Sequence, residues 1–70
     1  MMPLSLAEVG ECNLIRRVGG KSEIKKHLED LGFVVGAQVT IITEICGNVI
    51  VNIKDSRVAI SKEMANKIMV

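Results

Sequence analysis

The chain has 70 residues, 49% hydrophobic and 24% charged. This length bounds it to one domain spanning residues 1–70, and the apolar fraction excludes disorder. Nine basic against eight acidic residues leave a formal net charge of +1, which gives no global drive toward nucleic acid.

Pro3 to Gly10 reads as an extended lead-in ending in a turn. Within it, Ser5 and Glu8 have capping-box spacing, so "SLAEVG" can hold a helical turn with Ser5 as N-cap. Cys12 to Val18 reads as a strand, although adjacent Leu14 and Ile15 blur its alternation. Gly19-Gly20 then breaks it. Lys21 to Leu31 reads as a helix, because Ile24, Leu28 and Leu31 recur at i, i+4, i+7 and form one apolar stripe. Off that stripe, Lys25–Glu29 and Lys26–Asp30 are i,i+4 opposite-charge pairs in the weaker orientation. Ser22 can cap this helix, and so can Gly20 with Glu23 three residues on.

The junction "LEDLGFVVGAQV" carries two glycines. Gly32 stands where a C′ residue in the left-handed conformation ends the helix, with Phe33 at C″ placed to pack back onto it. Gly36 stands where a turn with positive φ swings the chain into the next strand. That strand is Gln38 to Ile45, with Val39 and Ile41 on one face and Ile42 on the other. Cys46-Gly47-Asn48 is a turn signal. Val49 to Lys54 is the clearest strand, alternating Val49, Val51 and Ile53 against Ile50, Asn52 and Lys54. Asp55-Ser56 turns the chain again, and Arg57 to Ile60 is a short strand with Val58 and Ile60 on one face. Ser61 is a good N-cap, and Glu63 in the first turn suits the helix dipole. Met64 and Ile68 are expected as i,i+4 neighbours on this last helix, before Met69-Val70 returns to extended form.

This order predicts a mainly β chain with a helix insertion (β+α). So few short strands leave exposed edges, and curling the sheet reduces that liability. The expected architecture is a small SH3-like, partly open barrel with the helix inserted after the first strand.

Little in the sequence can carry catalysis. His27 is the only histidine, and neither Cys12 nor Cys46 sits in a nucleophile motif. Gly19-Gly20-Lys21 is too short to cradle a phosphate. Cys12, His27 and Cys46 are the soft ligands available to a transition metal ion, and only the fold can bring them together. The simpler expectation makes Cys12 a small core residue, Cys46 a hairpin-turn residue and His27 a neighbour of the apolar stripe. The two cysteines form no C-x-x-C, and no disulfide scaffold is expected. Nucleic-acid binding by small barrels uses stacking aromatics, and Phe33 is the only aromatic residue here. No apolar run approaches the ~18 residues that span a bilayer. With no signal peptide in Met1 to Leu6, the expected setting is the reduced cytoplasm. Arg16, Arg17, Lys21, Lys25 and Lys26 crowd one window, which is either a solvated face or a docking patch for an acidic partner. A chain this short also leaves room for weak self-association.

"LEDLGFVVGAQVTII" resembles the segment L-x-x-L-G-[apolar]-x-x-G-x-x-V of the FeoA family of ferrous-iron-transport proteins, through Leu28, Leu31, Gly32, Phe33, Gly36 and Val39. The opening "MPLSLAEVGE" is similar to that family's P-L-x-x-x-x-x-G start, through Pro3, Leu4 and Gly10. The end is similar to its closing segment, through Val58, Ile60, Ala65, Ile68 and Val70. The resemblance implies an SH3-like domain and a non-enzymatic cytosolic accessory to FeoB, the membrane G-protein that moves ferrous iron. It implies transition metal ion (Fe2+) binding without a ligand set that carries over. The short, proline-free "EICGNV" hairpin departs from the longer one of many relatives. The same L-G-x-x-x-G pattern marks the SH3-like domain of some iron-dependent repressors, so a metal-sensing module is the alternative.

Overall fold

The apolar alternation after Gly36 builds the sheet that organises the molecule. In the computed structural model, which describes residues 1–70, the strands are β1 (Cys12–Leu14), β2 (Arg17–Val18), β3 (Gln38–Ile45), β4 (Asn48–Ile53), β5 (Ser56–Ser61) and β6 (Ile68–Met69). The helices are α1 (Ser22–Asp30) and α2 (Lys62–Ala65), and a 3₁₀ turn covers Leu4–Leu6. β1, β3, β4 and β5 form an antiparallel sheet in the order β1-β3-β4-β5. β2 and β6 form a separate antiparallel pair. The partly open barrel is thus two open sheets sharing one core, with β1 and β5 at the edges of the larger sheet.

Period-two alternation does what it should in the central strands. Val39, Ile41, Val49, Val51, Ile53 and Ile60 all face inward and are buried. The β3–β4 register shifts between Ile41 and Thr43, leaving Ile42 as an extra residue on β3. Such a bulge bends its strand and increases the local twist, which curls the sheet over the core. Two-residue turns join the hairpins, Cys46-Gly47 between β3 and β4 and Lys54-Asp55 between β4 and β5. All four residues have positive φ, the signature of type I′ turns.

The single strand expected over Cys12–Val18 is two strands. β1 pairs with β3, whereas β2 pairs with β6. Ile15 marks the hand-over: its N–H donates to the Ala37 carbonyl (2.9 Å), and its carbonyl accepts from Gly36 N–H (2.8 Å). One residue on, Arg16 N–H donates to the Met69 carbonyl (2.8 Å). The chain therefore changes sheets between Leu14, which is exposed, and Ile15, which is fully buried. That change is why the alternation stumbles there.

α1 ends as the junction chemistry requires. Gly32 N–H donates to the Glu29 carbonyl and Phe33 N–H to the Leu28 carbonyl, both at 2.9 Å. This is the paired-bond pattern of a Schellman end, with Gly32 at φ +106°. Phe33 and Leu28 are fully buried in the same core, the apolar contact that accompanies that motif. At the other end, neither expected cap forms. Lys21 is the N-cap and no side chain bonds the free N–H groups. Ser5 is no cap either, since Pro3 precedes the 3₁₀ turn and Ser5 lies inside it. Its hydroxyl donates instead to Asn66 Oδ1. Ser61 does cap α2, accepting from Met64 N–H at 3.2 Å. Ile68 lies beyond that one-turn helix, in β6, so the expected Met64–Ile68 helical pair is replaced by a buried Ala65 in the helix and a buried Ile68 in the strand.

Both ends of the chain meet at β6. Met2 and Val70 exchange backbone hydrogen bonds at 3.0 and 2.9 Å, and Pro3 bridges to Met69. No helix is long and apolar enough to cross a membrane.

Candidate functional site

Three cations of the basic window meet at one place. Arg16, Arg17 and Lys25 line a groove of about 540 Å³ together with Val18, Gly19, Gly20, Glu29, Val34 and Val35. One wall is β2, held from behind by Arg16 N–H on the Met69 carbonyl and Gly19 N–H on the Lys67 carbonyl (2.7 Å). The other wall is α1, where Lys25 and Glu29 are one turn apart and share a face. The apolar part comes from the turn after the helix. Ala37 N–H donates to the Val34 carbonyl (3.0 Å), and Gly36, third in that turn, has φ +91°. This is the geometry a type II turn demands of its third residue. It leaves Val35 67% exposed beside the basic wall.

The groove's charges are unneutralised by ion pairs. The only salt bridge in the molecule joins Lys62 Nζ to Glu44 Oε1 at 3.0 Å, far along the sheet. The expected Lys25–Glu29 and Lys26–Asp30 pairs do not form. Exposed pairs of this kind gain little in water, less still with Lys on the N-terminal side, and fixing both side chains costs rotamer freedom. Three cations against one carboxylate leave the groove with a net charge of +2. Lys21 and Lys26, counted in the same window, do not line it. The basic window in the sequence points toward this groove, whereas the parts played by Glu29 and the Val34-Val35 turn do not stand out in it. The available signals were the Lys25/Glu29 spacing and an apolar pair between two turn glycines.

The three soft ligands lie on different elements. Cys12 is exposed on β1 opposite Thr40, not a core residue as expected. The inward phase of β1 falls on Asn13, which is half-buried and whose amide donates to the Glu11 carbonyl at 3.2 Å. Cys46 is exposed in the β3–β4 turn, and His27 is exposed on α1. Cys46 lies six residues along β3 from Thr40, which at about 3.3 Å per residue separates it from Cys12 by about 20 Å. No three His, Cys, Asp or Glu side chains come together where they can hold a metal ion. The donor set of one chain therefore does not fit a resident transition metal. A second depression of about 300 Å³, lined by Ala37, Gln38, Thr40, Asn52, Lys54 and Asp55, offers one cation beside one carboxylate.

The same arrangement of sheets and helices recurs in known structures. The zinc complex of Stenotrophomonas maltophilia FeoA, described as a procaryotic SH3 domain protein, superposes with a TM-score of 0.87 at 22% identity, over 100% of this chain and 89% of that one. A manganese-dependent transcriptional repressor superposes with a TM-score of 0.84 at 16% identity, over 94% of this chain and 38% of that one. At such identities the likeness is one of fold, and it defines an open SH3-like domain. Sequence narrows this further. The FeoA domain family matches residues 2–70, and a Methanocaldococcus jannaschii protein named as an Fe(2+) transport protein A is 31% identical over all 70 residues and 85% of its own length. The chain belongs to the FeoA domain family.

Proposed function

We propose that the chain is a non-enzymatic, single-domain accessory protein of ferrous iron uptake. In this reading it works in the cytoplasm and docks on the cytoplasmic part of a FeoB-type membrane G-protein transporter. Docking changes that partner's nucleotide or transport cycle, and ferrous iron is the partner's cargo. The match to the FeoA domain over residues 2–70 carries this reading. The exposed groove supports it, since its net charge of +2 is engaged in no ion pair within the chain.

Co-purification with the cytoplasmic part of a FeoB-type protein, with and without ferrous iron and GTP, is the direct test. Association in at least one condition is expected; none in any condition sinks the docking claim. The competing reading is a metal-sensing module, favoured by the repressor-like shape. It requires stoichiometric binding of a divalent ion at Cys12, His27 or Cys46. Their placement on separate elements argues against it. Titrating ferrous or cobalt ion while following NMR signals of those three residues decides the matter, and unmoved signals remove the metal reading.

A further inference from the structure

We propose that the groove between β2 and α1 is a binding site for a short acidic segment of a partner protein, with an apolar side chain set among its carboxylates. The inference rests on the docking reading for the partner's identity but not for the groove's chemistry.

Four observations fix that chemistry. First, Arg16, Arg17 and Lys25 supply three cations from two elements, and none of them is ion-paired. Carboxylates facing them gain charge-assisted hydrogen bonds, with the arginines able to bind in a bidentate manner. Second, Val35 is held in solvent at the tip of a turn, with half-buried Val34 beside it. An apolar side chain seated there removes area from water at about 25 cal/mol per Å². Third, Arg16, Arg17, Gly20, Lys25, Glu29 and Val35 are all exposed, so the groove is shallow. It cannot enclose the 70–90% of surface that small-ligand pockets typically bury. A segment that continues beyond the groove does not need such enclosure. Fourth, Glu29 stands among the cations. A uniform polyanion meets repulsion there, whereas a peptide can present a backbone N–H to it.

The same observations set other occupants aside. Nucleic acid would find no stacking surface, because Phe33 is fully buried. A second copy of this chain would bring no acidic run. Its only adjacent carboxylates are Glu29-Asp30, which lie on the groove's own helix.

The test uses the full chain and three probes. The first is a synthetic acidic decapeptide in which leucines interrupt a run of glutamates. The second is an oligothymidylate of equal charge, and the third is the cytoplasmic part of a FeoB-type protein. With the peptide, amide NMR signals of Gly19, Gly20, Val34 and Val35 are expected to shift. Affinity should fall as salt rises from about 0.05 to 0.5 M, because the Debye length contracts. The double variant Arg17→Glu/Lys25→Glu should weaken peptide binding about tenfold or more, chiefly by slowing association. Val35→Ser, which leaves every charge in place, should weaken it a few-fold, and Glu29→Gln should tighten it. Dispersed amide spectra establish that each variant is folded.

Shifts confined to another surface, or unchanged peptide affinity in the folded double variant, overturn the proposal. Equal binding of the oligothymidylate at these residues assigns the groove to polyanions generally and also overturns it. Peptide-induced dimerisation would overturn it in favour of self-association. The FeoB-type arm separates the two readings. If that protein binds the native chain and the double variant alike, docking stands and the groove falls. If it binds neither while the peptide shifts the groove signals, the groove stands and the partner's identity falls.

Discussion

Gly32 and Ser61 show how much a single position can decide here. A Cβ on Gly32 would meet only the flexible Lys54 side chain, at 3.3 Å, so space is not what requires glycine. Its φ of +106° is. An L side chain in the left-handed region costs about 1–2 kcal/mol, and a β-branched one more. Gly32→Ala should therefore lower stability in urea by about that amount, with Gly32→Val clearly worse. Gly36 has open space around its Cβ position and φ +91°, so Gly36→Ala isolates the backbone penalty alone. If all three variants unfold at the native midpoint, the strain argument is wrong. Capping gives a sharper contrast. Ser61→Ala should cost about 1 kcal/mol, because its hydroxyl accepts from Met64 N–H. Ser22→Ala, at a serine that caps nothing, should stay within about 0.5 kcal/mol of native stability. Equal losses in denaturation curves would refute that distinction. The Ser61 cap was legible because the residue stands immediately before its helix. Ser5 and Ser22 carried the same local chemistry, but each sits one position or more inside its turn or helix.

At the level of elements, the hairpins were readable and their supports were not. Alternation of Val49, Val51 and Ile53 places β4 without ambiguity, because a half-buried strand must repeat every second residue. The turn before β5 was displaced by one residue: Lys54 continues the polar phase of β4 yet belongs to the turn, at φ +49°. Lys54-Asp55 is an unfavourable pair for a type I′ turn, which prefers glycine at its second central position. Asp55→Gly should raise the thermal midpoint, with a gain of about 0.5 kcal/mol. A lowered midpoint would show that Asp55 makes a contribution beyond its backbone. The Ile42 bulge left no mark in the sequence, since an extra residue in one strand is defined only against its partner. The split of Cys12–Val18 did leave a mark, the adjacent Leu14 and Ile15. Periodicity reported that something changed there; only pairing with β3 and β6 said what.

At the level of the whole molecule, stability and function both depend on contacts between distant segments. For 70 residues the net stability expected is roughly 4–10 kcal/mol. β6 holds together β2, the N-terminal segment and the core, and Ile68 is fully buried within it. Ile68→Ala should cost about 2–5 kcal/mol, a large share of that total, and should lower the urea midpoint accordingly. Sharp, native-like amide spectra with an unchanged urea midpoint would contradict that clasp. The groove is likewise a product of assembly, drawing on residues 16–20, on Lys25 and Glu29, and on residues 34–35. Sequence by itself determined the central strands, the helix with its glycine end, the Ser61 cap and the family resemblance. Each depends on neighbours a few residues apart, or on a pattern that survives without coordinates. Tertiary structure alone decided that Cys12 faces solvent and that Cys12, His27 and Cys46 stay on separate elements. It also decided that three cations of a five-cation window converge beside an exposed valine. Those outcomes turn on which strand pairs with which, and strand pairing is set by the shared burial of segments far apart in the chain.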